Sequence, residues 1–180
     1  MLALAILGFL HEEPLHGYDL KDRITGLTGH VKPVSDGALY PAITRLEAKG
    51  FLERRTEPGT GAAPRQVLHI TDAGRAELLR RLREPSQVEI TDRNRYFTLL
   101  AFLRHLDDPA EQARVLQRRL DFIDTPASFF YRSGKPQKAE EAGDPFRTGM
   151  LRIARATALA EREWLTSAIV DLVPGRDQAR

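Results

Sequence analysis

Ser35-Asp36-Gly37-Ala38-Leu39-Tyr40-Pro41-Ala42-Ile43-Thr44-Arg45-Leu46-Glu47-Ala48-Lys49-Gly50-Phe51 reads as one helix with a marked beginning and end. Ser35 is of the residue type that caps a helix, its hydroxyl accepting a bond from a free amide of the next turn. Leu39, Ile43 and Leu46 recur at helical spacing and belong in a core. Asp36, Gly37, Ala38, Tyr40, Pro41 and Arg45 lie between them and point elsewhere. Gly37 and Ala38 are small enough to let the start of the helix lie close against another surface. Pro41 falls in the early turns, where a proline costs least. Gly50 is a C-terminal stop signal, after which Phe51 and Leu52 return to the core.

The flanks place this helix in a larger pattern. Leu2, Leu4, Ile6, Leu7, Phe9 and Leu10 make a helix apolar nearly all round, the mark of a core helix, stopped at Glu13-Pro14. A second helix starts near His16-Gly17-Tyr18, with Leu20, Ile24 and Leu27 as its buried stripe, frays at Gly26 and Gly29, and leads into an extended connector over 31–34. Beyond Phe51, residues 52–56 and 65–70 alternate as strands around the tip Glu57-Pro58-Gly59-Thr60-Gly61-Ala62-Ala63-Pro64. Arg54 and Arg55 alternate across their strand, so at most one shares a side with Arg65. Thr71-Asp72-Ala73-Gly74 then caps a helix carrying Leu78, Leu79 and Leu82. Helix, loop, helix, two strands and helix is the order of a winged helix-turn-helix, whose second helix enters the major groove of DNA. On this reading the DNA-facing residues are Tyr18, Lys21, Ser35, Asp36, Gly37, Ala38, Tyr40, Pro41, Arg45, Thr60, Gly61 and Arg65. Tyr40 and Arg45 reach phosphates or base edges, and the wing tip follows the backbone.

Four stretches, Pro14-Leu15-His16-Gly17-Tyr18-Asp19-Leu20, Gly37 to Glu47, Gly50-Phe51-Leu52 and Ile70-Thr71-Asp72-Ala73-Gly74-Arg75, stand in the order and spacing of the PadR family of bacterial transcriptional regulators, which this segment resembles. Ala38 departs from the family's frequent serine or threonine, so a hydroxyl contact to DNA is missing there. The resemblance implies a dimeric repressor, controlling itself or a neighbouring gene and released by a small ligand or another signal.

The remainder reads as helices. Residues 85–90 form a linker; Thr91-Asp92 caps a helix with Phe97, Leu99, Leu100, Phe102, Leu103 and Leu106 on a wide apolar face. Asp107-Asp108-Pro109 opens the next, with Ala113, Leu116, Leu120 and Ile123 at helical spacing. Residues 133–144 read as a mobile surface loop, and a last helix runs from Phe146 to Leu172. That helix has more apolar face than the second half can cover, and pairing with a second copy is the simplest remedy. The longer PadR subfamily, to which this half is similar, dimerises through such helices. The expected fold is therefore mainly α: a winged helix-turn-helix DNA-binding domain with a small β-hairpin wing over 1–84, and a helical dimerisation domain over 91–174. Two recognition helices would then meet the half-sites of a palindromic operator roughly 34 Å apart. Among the aromatics of the second half, Tyr96, Phe97, Phe122, Phe129, Phe130 and Trp164 are the residues that would line a pocket for a small apolar or aromatic effector.

Composition excludes other classes. With 180 residues, 42% apolar and 29% charged, the chain is globular. It has no cysteine, which rules out thiolate zinc sites and a disulfide scaffold and fits the cytoplasm. His11, His16, His30, His69 and His105 are scattered without ligand spacing, so no metal is expected. Neither a nucleophile elbow nor a phosphate loop occurs, so neither an enzyme nor a cofactor is expected. The longest apolar run, Leu2 to Leu10, is too short to span a membrane. A net charge of +2 spreads no long-range positive field, so any DNA affinity must come from local charge. That flat charge leaves open a protein-interaction or ligand-sequestering module built on the same winged helix.

Overall fold

The computed structural model describes residues 1–28, 33–57, 65–125, 131–132, 135–136 and 138–173. It divides into two compact units, Met1–Asp107 and Asp108–Arg180.

At the centre of the first unit is α1, Leu2–Glu12, which packs against four helices and a strand of the wing: α2 (Gly17–Thr28), α3 (Asp36–Ala48), α4 (Asp72–Arg83), α6 (Arg93–Phe102) and β3 (Arg65–Ile70). A helix touched from so many sides must be apolar all round, and Leu4, Ile6, Leu7 and Leu10 are buried. It stops where Glu13 turns extended ahead of Pro14. The second helix continues through Gly26 to Thr28, with Leu20 and Ile24 buried. On α3, Leu39, Ala42, Ile43 and Leu46 face the core. Its end is a Schellman turn: Gly50 at φ +71° donates to Glu47 O at 2.8 Å and Phe51 N–H to Leu46 O at 3.0 Å. Its beginning corrects the sequence reading. Ser35 occupies the cap position, but its hydroxyl makes no cap bond, and its carbonyl instead accepts the Ala38 and Leu39 amides at 3.0 Å.

The sheet has order β1-β3-β2, all antiparallel, where β1 is Leu15–His16 and β2 is Leu52–Glu57. The first of these strands is absent from the sequence reading, because two residues show no alternation. It pairs Leu15 with Leu68 and His16 with Val67. Thr71 then caps α4, accepting the Gly74 amide at 3.0 Å.

Residues 85–90, read as a linker, are largely a short helix, α5 (Gln87–Thr91). Ser86 and Glu89 close a full capping box at its start, a Ser-x-x-Glu signal present in the sequence. Asp92 caps α6 and accepts the Arg95 amide at 2.9 Å. The sequence places this helix in a second domain over 91–174, whereas it packs within the first unit: Phe102 is buried edge-on against Phe9, and over Gly8.

In the second unit, Asp108 caps α7 (Pro109–Asp124), which packs on α8 (Pro145–Leu172). The pair is joined by Arg119, only 4% exposed, which donates twice to Glu161, at 2.7 and 3.1 Å. The stretch expected as a loop contains structure: β4 (Tyr131–Arg132) pairs with β5 (Lys135–Pro136), and a 3-10 turn over Ala139–Ala142 seats Ala139 and Ala142 against Leu151. Helical spacing puts Met150, Ile153, Trp164 and Leu165 on one buried side of α8; Leu165 is buried whereas Met150, Ile153 and Trp164 are exposed, and Phe146 at the start of the helix is 85% exposed.

Candidate nucleic-acid interface

Helix α3 offers one face to the core and the other to solvent, as its leucine spacing requires. Asp36, Gly37, Ala38, Tyr40, Pro41 and Arg45 are all exposed. Gly37 has no internal reason to be glycine: a Cβ there would meet nothing within 4 Å, and its φ is not positive. A glycine inside a helix costs about 0.5–1 kcal/mol relative to alanine. Among the described residues no close contact offsets that cost. Four residues on, Pro41 lacks the amide that would bond to the Gly37 carbonyl, so this face of α3 is both bare and thin.

Tyr18, 70% exposed at the start of α2, and Tyr40 line the same open hollow of about 170 Å³ with Gly17, Ile43, Arg54, Gln66 and Leu68. The structure thus brings together two tyrosines placed far apart by the sequence. Arg54 and Gln66 were not among the expected site residues. Gln66 precedes two buried residues, Val67 and Leu68, a pattern that carries no signal for which polar side chains converge.

Most cations here are already occupied. Lys21 Nζ lies 2.8 Å from Asp36 Oδ1, joining α2 to the first residue of α3, and that bond raises the Lys21 pKa above its ordinary value. Arg54 grips Glu47 in fork geometry, Nε to Oε1 at 2.6 Å and Nη2 to Oε2 at 2.9 Å, fastening β2 to the last turns of α3. Arg55 pairs with Glu53 on its own strand, and Arg23 with Glu13. In the sheet register Arg65 stands opposite Glu57, on the side of Arg55 and away from Arg54. Arg45 on α3 and Lys49 at its C-cap are exposed cations with no carboxylate partner among the described residues.

Thr60 and Gly61 of the expected wing tip lie outside the described residues, as do Phe129 and Phe130 of the expected effector pocket. Tyr96 is buried in the first unit, and Phe97 is exposed there with the Arg93 guanidinium 5.2 Å from its ring centre. In the second unit Phe122 is exposed, the Arg119 guanidinium 5.3 Å from its ring centre, and Trp164 is half exposed. Among the described residues no helix is long and apolar enough to cross a membrane, and no group of three His, Asp or Glu side chains gathers as metal ligands do.

Residues 6–80, which span α1 to α4 and the sheet, match the family model described as the transcriptional regulator PadR-like family. Over that stretch the chain is similar to the PadR-like family. The negative transcriptional regulator PadR of Bacillus subtilis (strain 168) is 30% identical over 78 residues, 43% of this chain and 43% of that protein. Among solved structures, a transcriptional regulator from Clostridium thermocellum overlays on 44% of this chain and 76% of its own, with a TM-score of 0.40 and 25% identity. Bacillus subtilis PadR in complex with operator DNA overlays on 95% and 98%, with a TM-score of 0.45 and 20% identity. The matched stretch contains every expected DNA-facing residue of the sequence reading.

Proposed function

We propose that this chain is a cytoplasmic, sequence-specific DNA-binding transcriptional regulator, a homodimeric repressor that a small ligand or other signal releases. The observation that carries the reading is the bare face of α3: Gly37, Ala38 and Pro41 exposed with no described neighbour that needs a glycine, flanked by Tyr40 and by Arg45, which pairs with no carboxylate among the described residues. A groove-binding helix has this composition, small at the N-terminal turn that meets base edges and cationic beside it. The family match over residues 6–80 supports it, since that family is described as transcriptional regulators, which bind rather than catalyse.

Tyr18 and Tyr40 would then flank a phosphate at the hollow they share, and Arg65 with the wing residues Thr60 and Gly61 would follow the backbone. The second copy would cover α8 along Phe146, Met150, Ile153 and Trp164, giving a two-fold protein for a palindromic operator. An apolar or aromatic effector would act by binding one spacing of the two recognition helices better than another.

The test is fluorescence anisotropy with the chain's own upstream DNA against scrambled DNA at two salt concentrations. Salt-sensitive binding that favours the upstream fragment and is lost in Arg45→Ala supports the reading. Weak binding to both fragments, unaffected by Arg45→Ala, leaves the winged helix as a protein-interaction or ligand-sequestering module.

A further inference from the structure

Asp36 is an odd residue for a DNA-facing surface. It is the first residue of α3, its side chain is 61% exposed, and its charge is that of the phosphates it would approach. Helix stability explains its presence in part, since a carboxylate suits the positive end of a helix. It does not explain the partner. Lys21, from a different helix, reaches across to Asp36 at 2.8 Å. One carboxylate oxygen is thus engaged, while the side chain remains open to solvent.

We propose that Asp36 is a specificity-determining residue: its carboxylate accepts the exocyclic amino group of a cytosine and, where no such donor faces it, withholds Lys21 from the phosphates. The inference rests on the DNA-binding reading above. A carboxylate only accepts hydrogen bonds. In the major groove the donors are cytosine N4 and adenine N6, and adenine places its N7 acceptor beside the amino group, where it repels a carboxylate. Guanine and thymine present acceptors there and are refused. Lys21 adds the second half. Non-specific affinity grows with each phosphate neutralised, and an ammonium bound to Asp36 neutralises none. At a matching cytosine the carboxylate turns to the base and Lys21 is released to a neighbouring phosphate.

The experiment measures binding of Asp36→Asn, Lys21→Met and the double variant. The DNAs are a duplex selected by the parent protein from a random pool and a scrambled duplex of equal composition, across a salt series. Asp36→Asn is expected to bind scrambled DNA several-fold more tightly. Its salt slope should steepen by about 0.9, roughly a threefold larger loss between 50 and 200 mM salt, while affinity for the selected duplex does not rise. Replacing one particular cytosine of the selected duplex should weaken the parent roughly tenfold and Asp36→Asn far less. The gain on scrambled DNA should vanish in the double variant. Equal gains on both duplexes overturn the proposal in favour of simple repulsion. A gain that persists with Lys21→Met overturns the role of Lys21. Weakened binding to both duplexes marks a structural residue and also overturns it. A parent protein that selects no DNA at all fails the DNA-binding reading, and this inference falls with it.

Discussion

The Thr71 hydroxyl donates to the Gly50 carbonyl at 2.6 Å while it accepts the Gly74 amide at 3.0 Å. One oxygen thereby joins the C-terminal turn of α3 to the N-terminal turn of α4, and the Thr71 amide adds a bond to Phe51 O at 3.1 Å. The close approach needs Gly74: a Cβ there would sit 2.1 Å from the Phe51 carbonyl oxygen. Thr71→Val, nearly isosteric, removes both hydroxyl bonds and should cost about 1–2 kcal/mol, whereas Thr71→Ser keeps them and should cost little. Urea unfolding of the two variants checks the contrast.

Gly37→Ala separates stability from binding. Space is open around the position and its backbone is helical, so alanine should stabilise the fold by about 0.4–1 kcal/mol. DNA affinity should fall, because the methyl stands on the face held against the groove. A more stable variant with unchanged affinity would move the interface away from the first turn of α3.

Arg45 and Arg54 bracket the question of which cations bind phosphate. Arg54 is committed to Glu47 by two hydrogen bonds, and Arg45 has no carboxylate partner among the described residues. Arg45→Ala should lower the slope of log affinity against log salt by about 0.9. Arg54→Ala should leave that slope unchanged yet loosen the link between β2 and α3, seen as a lower melting temperature.

The C-terminal end of α1 carries a proton-sensitive cluster. His11 and His105 stand edge to face 4.6 Å apart, and Arg75 Nη1 lies 3.2 Å from His11 Nδ1. A guanidinium only donates, so Nδ1 must be unprotonated. Burial, then the charges of His105 and Arg75, lowers the His11 pKa; burial lowers that of His105, with Glu12 opposing. Both folded values thus lie below the ordinary 6.5. The unfolded chain then binds more protons near neutrality. The stabilisation is complete above 6.5 and is lost as pH falls through the folded values. Melting temperature should therefore drop as pH falls below 6.5, and His11→Asn should flatten that drop. Glu77, held at about 2 by its bonds to Arg80 and Arg81, contributes stability that declines only below 4.5, which keeps the two windows apart.

Removing Glu161 alone should cost more than replacing both partners of the Arg119–Glu161 pair by apolar residues. Glu161→Ala leaves a guanidinium buried and should destabilise the second unit by about 3–5 kcal/mol. Arg119→Met with Glu161→Leu should recover most of that loss. Thermal melts of the single and double variants decide it.

Much of the first unit was legible in its sequence, because period and punctuation carried it: Leu39, Ile43 and Leu46 at helical spacing, Gly50 at a turn that needs positive φ, Thr71 at a cap. What escaped was set by tertiary contact. Ser35 has the right identity for a cap, yet its own carbonyl takes the first amides. The division after Asp107 follows from Phe102 lying over Gly8, a pairing no local pattern announces. The polar face of α3 was readable as exposed, but Lys21 with Asp36 and Arg54 with Glu47 are matches between elements. Sequence spacing within one helix says nothing of them.

The two-residue strand Leu15–His16 gives the sheet a particular order of assembly. The β2–β3 hairpin pairs neighbours in the chain and can close early, whereas His16 and Gln66, joined at 3.0 Å, are 50 residues apart. The β1 pairing thus closes the longer loop, and α1 is tied to β3 both by direct packing and through the two-residue strand that follows it in the chain.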